Sequence, residues 1–352
     1  MNVLLTCAGR RRYLVQYFRE ALAGRGAIYA ADCNAEAPAM LEADAAFPVP
    51  AVDDPGYRAV LFDVCQRHEV GLLLPLNDLE LPALAAWRPL LLAAGTVPVI
   101  SSPEVINICG DKWQTAQFLA AQGLPGPATY CSLEEAGGAL SRGKLTYPLV
   151  VKPRWGSASM WVESCAEGEE LELAYRLVGR RALRSFGRDG QDEHGCVLIQ
   201  QGMQGVEYGL DVVNDLAGRH VCTFVRRKLA MRAGETDRAV TVENAQLSEL
   251  GARLGQALGH VGNLDCDVFL EEGGVQVLEM NPRFGGGYPF SHVAGADLPS
   301  ALLAWARGEP ADPRWFAVTP GIVSAKYDEL VVRRLRRVAA EAVTAAGAEE
   351  RG

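Results

Sequence analysis

The stretch that most constrains this chain runs from Gly262 to Gly287 and reads GNLDCDVFLEEGGVQVLEMNPRFGGG. Two apolar runs, residues 264–270 and 275–280, flank the turn-rich tetrad Glu271-Glu272-Gly273-Gly274, which is the signature of a β-hairpin. An odd loop centred on Gly273 sets Asp267 opposite Glu279, and the two-residue period of a strand puts Asn281 on Glu279's face. Two carboxylates and an amide then converge as hard oxygen ligands. That set suits Mg²⁺ shared with substrate phosphates better than zinc. Arg283, two residues on, is placed to meet an anionic oxygen held by the metal. An even loop would put the acids on opposite faces, and the alternative reading is an edge hairpin with solvated acids.

Composition narrows the partners. The net charge is −9, from 34 basic and 43 acidic residues, so no general basic field exists for nucleic acid. No apolar run approaches a membrane span and no secretory signal is evident, so the expectation is a cytoplasmic protein with no membrane partner. Nine cysteines without a CxxC pair, mostly inside apolar runs, read as reduced buried thiols. Five histidines without an HxxxH pair give little support to a zinc site. A chain of 352 residues suits two or three lobes.

Residues 1–100 alternate strand and helix: apolar runs at 2–7, 27–31, 71–76 and 97–100, with amphipathic stretches such as 12–23 and 57–68. That order implies a parallel sheet covered on both faces. The first turn lacks GxGxxG, so a dinucleotide there is disfavoured. Asp32 reads either as a ribose contact or as a solvated strand-end acid. Asp78 either lines a crevice at the sheet's carboxyl edge or caps the next helix. Ser102 and Pro103 start a helix, and a second begins near Asp111 with Lys112 in its first turn.

Residues 126–203 read as a small inserted lobe of strands. A strand at 147–152 ends in Lys152 and is followed by Arg154-Trp155-Gly156-Ser157-Ala158-Ser159, then by a strand at 161–164. A lysine beside a small-residue loop can fold backbone N–H groups over phosphates, although such loops often only turn the chain. A strand at 197–200 leads to a link at 201–205 and a new strand opening with Glu207. The basic run Arg226-Arg227-Lys228 beside Gly234-Glu235-Thr236 reads as a polyphosphate or carboxylate contact, or as a solvated face.

Taken in order, Lys112, Lys152 with its loop, Gln200 to Glu207, Asp267, and Glu279-x-Asn281-Pro282-Arg283 resemble the ATP-grasp superfamily. The segments NPRFGGG and VVKPRWGS carry most of that resemblance, and CGDKWQT and QGVEYGLDV support it. It looks most like the carbamoyl-phosphate synthase large-chain branch, and within it the stand-alone carboxylate–amine ligases such as the pyrrolysine-pathway ligase. The resemblance implies an α/β and α+β architecture in three parts: an N-terminal Rossmann-like (pre-ATP-grasp) domain at 1–102, an ATP-grasp domain at 103–312 with an inserted β lid subdomain at about 126–203, and a C-terminal strand and helix extension at 313–352.

The same resemblance implies ATP and one or two Mg²⁺ ions, with Mn²⁺ as a substitute. Lys112 and Lys152 would contact phosphates, and Gly156, Ser157 and Ser159 would close over them. Gln200, Gln201 and Met203 would read adenine and Glu207 the ribose. Asp267, Glu279 and Asn281 would hold metal, and Arg283, with Lys228 and Arg226, would serve the transferred phosphoryl group. The implied activity is a biosynthetic ligase, expected as a homodimer, that activates a small carboxylate such as an amino acid as an acyl-phosphate and couples it to an amine. A carboxyl-phosphate or carbamoyl-phosphate enzyme and a non-catalytic nucleotide-binding regulator are the alternatives. Three positions depart from the family pattern: Ala158, Trp161 in place of a glycine, and Gln200 where a glutamate is common.

Overall fold

The computed structural model describes residues 1–156, 159–187 and 192–332. Ser157 and Ala158, and the helix expected beyond residue 332, lie outside the described residues. The first sheet is parallel, with strands β1 (Asn2–Thr6), β2 (Ile28–Asp32), β3 (Ala45–Pro48), β4 (Val70–Pro75) and β5 (Val97–Pro98) in the order β3-β2-β1-β4-β5. The expected βα alternation is present, with strand β3 and the short helix Pro38–Glu42 added. Strand β3 is four residues with no alternation to betray it. The helix Leu81–Ala93 is apolar nearly all round and contains Pro82 and Pro89, which read as breakers in sequence; Pro82 sits in the first turn, where its missing N–H costs nothing.

The helix Arg12–Leu22 buries Leu14, Val15, Phe18 and Leu22, one face of a 3.6-residue period. That face covers Val3 and Leu5 and also meets Phe284, Tyr288 and Leu298 from the far end of the chain, in one apolar core. Phe18 meets Phe284 edge-on at 6.3 Å, and Phe284 meets Tyr288 at 4.7 Å. Each such ring contributes roughly 1.5–3 kcal/mol by its burial. The first lobe is therefore fixed directly to the loop that follows Arg283.

A second, antiparallel sheet has β6 (Thr129–Tyr130), β7 (Leu149–Pro153), β8 (Glu163–Cys165) and β9 (Val197–Gln201) in the order β6-β9-β7-β8. The expectation of a lobe of strands alone is corrected: the helices Leu133–Ser141 and Gly168–Phe186 belong to it. The long helix buries Leu171, Tyr175, Val178, Gly179 and Ala182, a stripe diluted in sequence by arginines and glutamates. Strand β8 starts two residues later than expected because Trp161 takes a positive φ of 55°, which a strand cannot continue.

The third sheet is antiparallel, with β10 (Val206–Asn214), β11 (His220–Arg232), β12 (Glu235–Thr241), β13 (Gly262–Glu271), β14 (Gly274–Asn281) and β15 (Val323–Ala325) ordered β14-β13-β10-β11-β12-β15. The helix Ala245–Leu258 covers one face, burying Leu247, Leu250 and Leu254 with Leu264, Cys266 and Val268 of β13. By alternation, Asp265, Asp267 and Phe269 take the opposite face.

Asp267 does pair with Glu279, and Asp265 with Asn281. The route to that register differs from the expected odd loop. Glu271 pairs with Gly274, so the turn is even, and by itself it would set Glu279 opposite Cys266 on the core face. The register shifts between Asp267 and Val268, whose partners are Glu279 and Val277, so Leu278 is an extra residue in a bulge. The bulge brings the acids together.

Candidate active site

A cleft of about 220 Å³ lies between the second sheet and the β13–β14 hairpin. Lys112, Lys152, Gly156, Gln200, Met203 and Glu279 line it, as do Ser159 and Gln201. Its apolar walls are Val150, Trp155, Met160, Val162, Phe269 and Leu278, the bulged residue.

Each lysine is held by its own local structure. Asp111 caps the helix Lys112–Ala121, accepting from the Trp113 N–H at 3.0 Å, and grips Arg154 through both carboxylate oxygens at 2.8 and 2.7 Å. That clamp ties the helix start to the end of β7, and the Lys112 ammonium donates to the Gly156 carbonyl at 2.5 Å, 3.9 Å from Glu279. Lys152, 5% exposed, donates to Gln200 Oε1 at 2.7 Å, and the Gln200 amide N–H₂ donates to Thr129 at 2.9 Å. Burial, helped by the nearby Lys112 charge, brings the Lys152 pKa down to about 8, with Glu279 opposing. Because position 200 is a glutamine, this lysine is bonded to a neutral oxygen.

The loop after β7 depends on Gly156, whose φ is +100° and whose added Cβ would meet the Phe186 ring at 2.8 Å. Trp161 occupies left-handed backbone where a glycine would be unstrained, and its ring lies 6.0 Å from Phe186. The tryptophan is therefore accommodated by packing onto the helix Gly168–Phe186.

On the hairpin side, Lys228 is almost fully buried and sits 2.6 Å from both Glu207 and Asp267. Burial raises the Asp267 pKa to about 6, against the pull of Lys228. Asn281 stands across from Asp265, on the same side as Asp267 and Glu279. Among the described residues no group of three or more histidine, cysteine or acidic side chains is disposed to hold a metal. Two opposed carboxylates and an amide do fit a hard cation whose remaining ligands are water and phosphate, as Mg²⁺ prefers.

Arg283 and Arg226 have different surroundings. Arg283 reaches across to the first lobe, where Asp78 accepts from its Nη2 at 2.5 Å; Asp78 does not cap the helix at Leu81. Asp32 holds the first turn by accepting from the Gly9 and Asn34 N–H groups at 2.8 Å each. Arg226 is 1% exposed, bound to Asp211 at 2.5 Å and Asp265 at 2.8 Å, so the structure places it beneath the site and away from the cleft. Asp265 itself was missed in sequence, although its two-residue spacing from Asp267 puts it on the same face.

The Gly285-Gly286-Gly287 run follows from this network. A Cβ on Gly285 would overlap the Asp265 carboxylate, and one on Gly287 would overlap the Arg226 guanidinium. Gly287→Ala should therefore destabilise the fold by about 3 kcal/mol, through overpacking and disturbance of a buried ion pair. Gly273→Ala, with open space around it, should be near neutral. Urea denaturation of both variants checks this; equal midpoints would contradict it.

Residues 3–100 match the family described as PylC-like, N-terminal domain, and residues 193–328 match ATP-grasp in the biosynthetic pathway with Ter operon. An uncharacterized protein, y4rH, of Sinorhizobium fredii is 30% identical over 52% of this chain and 38% of its own length. The glutamate–LysW ligase ArgX of Sulfurisphaera tokodaii is 28% identical over 34% of this chain and 42% of its own. The carbamoyl phosphate synthase large chain of Methanoregula boonei is 25% identical over 70% of this chain and 22% of its own. The matches thus span less than half the length of these relatives. Among solved structures, the biotin carboxylase domain of Hydrogenobacter thermophilus 2-oxoglutarate carboxylase, in complex with MgADP, ADP and bicarbonate, superposes with a TM-score of 0.71 at 18% identity, over 88% of this chain and 70% of that one. No helix among the described residues is long and apolar enough to cross a membrane. Residues 193–328, which include the hairpin that carries Asp267 and Glu279, thus match an ATP-grasp family, behind a PylC-like N-terminal domain match.

Proposed function

We propose that this chain is an ADP-forming ligase that phosphorylates a small carboxylate and couples it to an amine. The observation that carries the reading is the meeting of two lysines and Glu279 in one cleft, with Asp267 opposite Glu279 in the hairpin and Arg283 close enough to Glu279 to feel its charge. Phosphoryl transfer needs positioning and charge neutralisation more than covalent chemistry, and these residues supply both. The relationship to a glutamate–LysW ligase favours a carboxylate–amine pair.

In this reading Lys112 and Lys152 bind the ATP phosphates, and Gly156 and Ser159, which line the same cleft, lie over them. Gln200 to Met203 border the adenine and Glu207 binds the ribose. Asp267, Glu279 and Asn281 would hold Mg²⁺, which when bound neutralises charge on the phosphates. Lys228 neutralises Glu207 and Asp267 in the free protein. The substrate carboxylate oxygen bonds to the γ-phosphorus as the bond to ADP breaks, and Arg283 faces the charge of the transferring group. The amine nitrogen then bonds to the acyl carbon, phosphate leaves, and the amine's proton passes to solvent. The apolar walls Trp155, Met160 and Phe269 keep water from the acyl-phosphate. The second sheet, about residues 126–203, serves as the lid over a domain at 103–312.

The test uses hydroxylamine, which intercepts an acyl-phosphate whatever the true amine is. With ATP, Mg²⁺ and a panel of amino acids, other small carboxylates and bicarbonate, one acid should give ADP, orthophosphate and, for an organic acid, a hydroxamate. AMP and pyrophosphate with the cognate acid would overturn the mechanism.

A further inference from the structure

Arg283 receives its acidic partner from outside the sheet that carries it. Asp78 lies in the turn between β4 and the helix Leu81–Ala93, 205 residues away in sequence, and accepts from Arg283 Nη2 at 2.5 Å. The turn is fixed from beneath. Glu80, fully buried, accepts from the Leu76 and Asn77 N–H groups at 3.0 and 3.3 Å and from the Tyr57 hydroxyl at 3.0 Å. The Asn77 side chain accepts from the Leu79 N–H at 3.0 Å. Asp78 is thus presented by a braced turn.

Arg283 is bounded on its other sides. Its Nη1 donates to the Phe284 carbonyl at 3.1 Å, its Nε is buried without a partner, and it lines a small cavity together with Leu74, Pro75, Val99 and Val261. Asp265 and Glu279 lie close enough to feel its charge, yet among the described residues Asp78 is the one carboxylate hydrogen-bonded to it. A cross-lobe lock would be the plain explanation. It is a weak one, because the lobes already share the apolar core of Phe18, Phe284 and Tyr288, and Asp78 remains 30% exposed. Arg283 is itself 9% exposed, so the cost of taking its charge out of water offsets much of what the pair could add as adhesion.

We infer that Asp78 is a positioning residue for the phosphoryl-transfer site: it holds the Arg283 fork in the orientation that meets the transferring group. The N-terminal domain thereby supplies part of the catalytic arrangement that the ATP-grasp sheet lacks by itself. A guanidinium set in place before the reaction stabilises developing charge without reorganising, which a freely rotating arginine cannot do. The inference rests on the ligase reading above.

The test is calorimetric titration of the full chain with MgADP, with and without aluminium fluoride as a mimic of the transferring phosphoryl group. Wild type should bind MgADP and gain about tenfold or more in affinity with the fluoride, as transition-state mimics do. Asp78→Asn, which keeps the shape and removes the charge, should bind MgADP within about twofold of wild type and lose most of the fluoride gain. Asp78→Glu should recover part of it. An Asp78→Asn protein with the full gain overturns the positioning role and leaves the ligase reading standing. An Asp78→Asn protein that no longer binds MgADP overturns it too, by showing a structural role. A wild type that fails to bind MgADP, or that shows no fluoride gain, overturns the ligase reading and this inference with it.

Discussion

Arg283→Ala should lower kcat for ADP formation by about 10³-fold while KM for ATP changes by less than about threefold. The separation follows from where the side chain sits. Arg283 is 9% exposed, anchored on Asp78 and the Phe284 carbonyl, and is not among the residues lining the cleft where Lys112 and Lys152 stand. Its charge is aimed at what forms during transfer, so ground-state nucleotide has little reason to feel its loss. Arg283→Lys should restore only a small part of the rate. A point charge on a flexible stem cannot hold Asp78 and face a phosphoryl oxygen at the same time. Steady-state kinetics on the acid found by the hydroxamate screen decides it; a KM that rises while kcat holds would place Arg283 in nucleotide binding instead.

Lys152→Ala should have the opposite signature, weakening ATP binding by about 100-fold as well as slowing turnover, since a buried charge-assisted contact is lost from the ground state. The wild-type lysine also predicts a pH effect. Burial has lowered its pKa from 10.5 to about 8, and the charged form is the one that binds phosphate. ATP affinity should therefore be level near neutral pH and fall by about tenfold per unit above 8, until the nucleotide-bound pKa is reached. The stability of the free protein should move the other way. Between about 8 and 10.5 the folded chain has released this proton and the unfolded chain has not, so this group makes stability rise with pH in that window. Gln200→Glu puts a carboxylate against the ammonium, and should shift the fall in affinity to higher pH. Titrations of ATP binding from pH 7 to 10 in both proteins would falsify the assignment if the two profiles coincided.

The sequence was most readable where local chemistry and strand period coincide. The β13–β14 hairpin, the Ser102 and Asp111 caps and the βα alternation of the first lobe follow from neighbours in the chain. The helix Gly168–Phe186 was not readable, because its buried stripe is interrupted by charges that solvent accepts on the other faces. The helix Leu81–Ala93 was readable only as the helix that follows Asp78, because its prolines carry a stronger local signal than its apolar surface. Among site residues, the pairing of Lys228 with Glu207 and Asp267 requires three strands in register, which no spacing reveals. Arg226 and Lys228 look equivalent in a basic run. Alternation places both on the same side of β11, and only the glycines at 209 and 287 decide that Arg226 lies under a backbone while Lys228 reaches Asp267.

The bulge at Leu278 moves the parity of the hairpin out of its tip. With a two-residue turn the ladder counts Glu279 onto the core face, and the single uncounted residue in β14 corrects the sum next to the acids. The tip at Glu272 and Gly273 is thereby released from any say over the site beyond being even. Pairs of residues can be added or removed there while Asp267 continues to face Glu279. Between Glu279 and Arg283 there is no such tolerance: one residue more or fewer would turn Arg283 away from Asp78. The hairpin thus has a stretch where length is free in steps of two and a stretch where it is fixed, and Leu278 is the joint between them.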